Sequence, residues 1–173
     1  MPAYWLKLLV QNAGTTFSAI GPWDTFGAPV TVDVVGESTD FKRPGGGAQA
    51  QSVLALVPTT PSSLYGKSML LTGVEVCYDS SQQGVSLGKV QLYRNVSTNA
   101  TSVEAQATVA LDSSPPDGNQ CQMFTGDPQL LPTNGYAAVQ LKVDWDAAQA
   151  DQLLTVGRTT FFLEPSNTPA VAP

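Results

Sequence analysis

Apolar and polar side chains alternate through residues 68–94 (SMLLTGVEVCYDSSQQGVSLGKVQLYR), and this period of two constrains the fold more than any other feature of the chain. Leu70, Val74, Val76 and Tyr78 share one face with Thr72 between them, while Glu75 and Cys77 take the other. Residues 79–84 (DSSQQG) then supply side chains that hydrogen-bond locally and a glycine that accepts positive φ. On the returning side Val90 and Leu92 align, and Lys89, Gln91 and Arg94 are polar. The spacing predicts a β-hairpin. Two strands alone are marginal in water, so other segments must cover their apolar face.

Those segments read as strands too. Residues 4–11 (YWLKLLVQ) alternate, and 15–20 would pair back across the Asn12–Gly14 turn. Residues 21–24 (GPWD) read as a turn, 29–35 (PVTVDVV) as a strand, and 36–50, with three successive glycines, as a flexible connection. Further strands are expected at 51–57, 102–111, 120–124 and 136–145 (YAAVQLKVDW), and a long last one at 153–163 with Gly157 as a bulge. The Pro115-Pro116 and Asp117-Gly118 pairs within 112–119 stop a strand, 127–135 reads as a connection, and 146–152 offers one helical turn capped by Asp146. The predicted fold is all-β: a two-sheet antiparallel β-sandwich, jelly-roll-like, with nine or ten strands and at most one short helix. Residues 1–164 form a single domain in this reading, and 165–173 an extended Pro-rich tail. No Trp lies between Cys77 and Cys121, so the immunoglobulin signature is missing.

Composition limits the chemistry. The chain has no histidine, which removes the Ser-His-Asp triad, the Cys-His dyad and His-based metal centres. The formal charge is −6, and the basic residues are scattered, so neither nucleic acid nor an anionic membrane is an expected partner. No apolar run is long enough to insert in a membrane. The N-terminus reads as a first strand rather than a signal peptide, while low charge and abundant Ser and Thr favour an extracellular or particle-surface setting. Cys77 and Cys121 would either form a disulfide, which by loop entropy adds about 4 kcal/mol, or pack as two small buried thiols.

Several residues stand out as site candidates. Trp5, Trp23, Tyr65 and Tyr93 would serve as stacking platforms for sugar rings, against the alternative of core or interface packing. Asp144, Asp146 and Asp151 offer oxygen ligands to calcium, although the glycine and glutamate of an EF-hand loop are absent; no other cofactor is expected. Glu75 and Glu104 are the carboxylates that a hydrolase or lyase would use, and each is equally the outward member of an alternating strand. Asn95-Val96-Ser97 and Asn99-Ala100-Thr101 match glycosylation acceptors.

These features favour a non-catalytic sandwich that acts as a structural or adhesive subunit of a larger assembly (a particle coat, fibre or appendage). Its partners would be further copies of itself or another assembly protein, with the tail and N-terminal strand adding to a neighbour's sheet edge. A carbohydrate-binding module with glycan partners is the alternative, followed by a carboxylate-dependent hydrolase or lyase.

Overall fold

The computed structural model describes residues 15–19, 21, 23–45, 50–56, 63–64, 66–81, 84–95, 107–112, 117–131 and 136–169. The strands expected at 4–11 and in the first part of 102–111, and the glycosylation acceptors past Asn95, lie outside them, as do Trp5, Tyr65 and Glu104. The described chain is all-β, as expected, and contains no helix. Its strands are β1 (Thr15–Ala19), β2 (Trp23–Gly27), β3 (Thr31–Val35), β4 (Ser38–Arg43), β5 (Gln51–Leu56), β6 (Ser63–Leu64), β7 (Lys67–Asp79), β8 (Val85–Asn95), β9 (Ala107–Asp112), β10 (Asn119–Leu130), β11 (Tyr136–Trp145) and β12 (Gln152–Pro169).

Two antiparallel sheets face each other. One runs β10-β7-β12-β4-β3, with β1 also on β12 and β6 on β7; the other runs β2-β5-β11-β8-β9. Strand β12 is the axis of the first: β7 pairs along one edge, and the other edge takes β4 and then β1. The core lies between the sheets. Phe41, Leu71, Val76, Leu154 and Phe161 come from one side, and Leu54, Val90, Leu92, Val139 and Leu141 from the other, all fully buried.

The central stretch is not a hairpin. β7 and β8 belong to opposite sheets, joined by an arch that crosses the core's end. Period-two alternation says which side chains are buried, and says nothing about which strand lies alongside. Gly84 (φ 84°) makes the crossing, and a Cβ there would stand 2.7 Å from the Gln152 amide nitrogen. The burial phase also differs from the expected one. Met69 and Leu71 point inward and Leu70 does not, whereas Val74, Val76 and Tyr78 are buried as expected. The phase changes near Gly73, where pairing with both β10 and β12 shifts register. A matching shift at Gly157 and Arg158 moves the buried set of β12 from Leu154 and Val156 to Thr159, Phe161 and Leu163.

Other expectations are corrected as well. The turn expected at 21–24 does not hold for Trp23 and Asp24, which open β2. The connection expected at 36–50 contains β4, whose Thr39, Phe41 and Arg43 all face the core. Arg43 disguised that alternation: the residue is 2% exposed yet its guanidinium stays hydrogen-bonded, so a cation occupies an apolar position. Strand β10 continues through Pro128, tolerated there because β10 is an edge strand with irregular register. Strand β12 runs on to Pro169. Residues 146–151, before β12 opens at Gln152, form a turn instead of a helix, with the Asp146 carboxylate accepting from the Ala148 N–H at 2.9 Å.

Candidate binding face

The five-stranded sheet turns one face to the core and one outward. Register across β2, β5, β11 and β8 aligns its outward side chains in rows. One row is Phe26, Val53, Lys142 and Lys89; the next is Asp24, Ala55, Gln140 and Gln91; beyond it Ala138 stands opposite Tyr93. Ala55 and Ala138 are buried although they point outward, so they lie low between longer neighbours. Phe26 rises at the β2 edge with 61% of its surface exposed. Tyr93 is half-buried, and that burial pushes its phenol above the usual tyrosine range, with the Gln91 side chain acting the other way. From strand spacing and rise, Phe26 and Tyr93 stand on the order of 20 Å apart along a diagonal.

At one end of this face, beside the row Gln51, Asp144 and Ser86, lies a depression of about 360 Å³ lined by Gly84, Val85, Ser86, Asp117, Asp144, Trp145 and Asp146. Asp144 Oδ1 accepts from Gln51 Nε2 at 2.7 Å, and its other oxygen lies over Gly88, where a side chain would collide with it. Asp146 is engaged by its own turn, with Gln149 Nε2 at 3.0 Å. Asp151, at φ 57°, is exposed and does not line the depression. Among the described residues, no three His, Cys, Asp or Glu side chains form a group that could hold a metal ion.

No family model matches the chain, and no curated protein matches it. Solved structures do overlap with it. A xylan-binding module, CBM15, is 13% identical and overlaps 88% of this chain and 97% of its own, with a TM-score of 0.45. The CBM22-1–GH10 modules of Clostridium thermocellum endo-1,4-beta-D-xylanase 10B, complexed with xylohexaose, are 12% identical over 87% of this chain and 27% of theirs, TM-score 0.45. A family 29 carbohydrate-binding module from Piromyces equi is 11% identical over 87% and 91%, TM-score 0.39.

The remaining candidates are placed by the structure itself. Trp23 is corrected from platform to core: it is 7% exposed, and its ring meets Phe41 edge-on with centroids 5.8 Å apart. Glu75 lies on the outer face of the other sheet, opposite Met123 and Thr160. On that same face a disulfide joins Cys77 and Cys121, which are direct register partners. Phe26 is absent from the candidates that the sequence suggests. Its signal is the alternation Trp23-Asp24-Thr25-Phe26, hidden because Gly21-Pro22 suggests a turn.

Proposed function

We propose that this chain is a non-catalytic binding module that lays a polysaccharide across the outer face of the five-stranded sheet. The observation that carries the reading is the diagonal from Phe26 to Tyr93 over Gln140 and Gln91. Aromatic rings at both ends offer apolar surface to sugar C–H faces. Each glutamine amide between them donates twice and accepts on its oxygen, which suits a ligand made of hydroxyls. The low alanines leave room for a chain to settle.

Affinity electrophoresis through gels containing soluble polysaccharides tests this. Retardation in at least one gel, lost in Tyr93→Ala and reduced in Phe26→Ala, is the expected result. Wild-type mobility unchanged across a panel of plant, algal and bacterial polysaccharides would overturn it.

A role as a subunit of a larger assembly draws on another surface, the outer edge of β3. All five of its residues are exposed, with Val34 at 65%, and among the described strands only β4 pairs with it. A free apolar edge is a template for a strand from a second copy. Sedimentation velocity checks it: concentration-dependent association that disappears in Val34→Lys supports the role, and a monomer at all concentrations rejects it.

A further inference from the structure

Lys89 and Lys142 are direct register partners on β8 and β11, in the middle of the candidate face. Like charges placed opposite one another on a sheet destabilise it, since facing Cβ atoms are only about 5 Å apart. The chain has 8 basic residues against 14 acidic ones, so countercharge is plentiful elsewhere. Yet the ion pair found among the described residues is Lys42 with Asp33, on the other sheet. Among the described residues, no carboxylate of the face pairs with either lysine. Asp144 is bound by Gln51, and Asp24 sits in the neighbouring row at the far edge strand. Both lysines are half-buried.

From this we infer that the polysaccharide is acidic, and that Lys89 and Lys142 together hold an anionic substituent, a carboxylate or a sulfate ester, on a chain that spans Phe26 to Tyr93. The inference rests on the polysaccharide reading and adds the ligand's charge to it. An anion between the two ammonium groups would turn their repulsion into attraction. The glutamines beside them would hold the neutral hydroxyls of the same chain.

The test is isothermal titration with matched polymers: a neutral xylan against a glucuronic-acid-substituted xylan, and a neutral dextran against dextran sulfate. The first pair reads carboxylate on a neutral backbone, the second the added sulfate. The expected result is tighter binding to the acidic member of at least one pair. That preference should weaken as salt is raised, because mobile ions screen exposed charges. Lys89→Gln with Lys142→Gln should abolish the preference while binding to the neutral member persists. The double variant should also unfold at no lower urea concentration than the wild type, since it removes a repulsion; this separates loss of a ligand contact from loss of fold. Equal affinity for neutral and acidic polymers would overturn the inference and leave the polysaccharide reading intact. A preference unchanged in the double variant would equally overturn it. Absence of binding to any polymer would overturn both.

Discussion

Arg43 and Gln152 meet inside the sandwich, with the guanidinium Nη1 donating to the glutamine side-chain oxygen at 3.1 Å. The same nitrogen donates to the Asp146 carbonyl at 2.9 Å, and Gln152 Nε2 donates to the Gly84 carbonyl at 2.6 Å. One buried network therefore ties β4, β12, the 146–151 turn and the arch before β8. Arg43→Ala should cost about 3 kcal/mol, because it empties space and leaves the buried Gln152 side-chain oxygen and the part-buried Asp146 carbonyl without their donor. Urea unfolding reads this loss, and Gln152→Ala should show strong non-additivity with it in a double-mutant cycle.

The disulfide at Cys77 and Cys121 closes a loop with a sequence separation of 44. Replacing both residues with serine should lower stability by about 4 kcal/mol on the loop-entropy account. Between Asn119 and Leu130, β10 places only Phe124 in the core among its described side chains. Hydrogen exchange should accordingly accelerate first in β10 when reductant is added.

Trp23 separates packing from recognition. Trp23→Ala should cost about 4 kcal/mol, as expected for a large aromatic removed from a core, and leave polysaccharide affinity unchanged per folded molecule. Tyr93→Ala should do the reverse. Thermal melts and affinity electrophoresis of the two variants check the contrast.

Acid should weaken the end of β7. Hydrogen bonds from the Ser81 side chain and backbone hold the Asp79 carboxyl below its ordinary value of 3.8, against a smaller opposing effect of burial. Its folded pKa lies below its unfolded one, so its contribution is full above the unfolded value and fades as pH falls through the folded one. The stability difference between wild type and Asp79→Asn should therefore shrink as urea midpoints are followed from neutral pH to about pH 3.

How far the fold can be read from the chain follows from what alternation encodes. β11 was legible almost residue by residue, because Ala137, Val139, Leu141, Val143 and Trp145 all face inward. The Gly157 irregularity was legible too. The partner of each strand was not: nothing in residues 68–94 distinguishes a hairpin from an arch. β4 was hidden because Arg43 occupies an inward position, and β2 because its first residue follows a Gly-Pro pair. The candidate face was half legible. Tyr93 stood out as an aromatic residue, but Lys89 and Lys142 become neighbours only through a pairing that joins distant parts of the chain.

The arch between β7 and β8 has a kinetic consequence. The most central strands have no sequence-adjacent partner: β12 waits for β1, β4 and β7, and β11 for β5 and β8. Among neighbours in sequence, β3 and β4 can zip early around Gly36, as can β6 with β7 and β8 with β9. Loop closure must precede nearly all other pairing, which sets folding in the slow regime of milliseconds to seconds typical of non-local β topologies. A nascent chain would reach its stable form only after residues 152–169 have emerged.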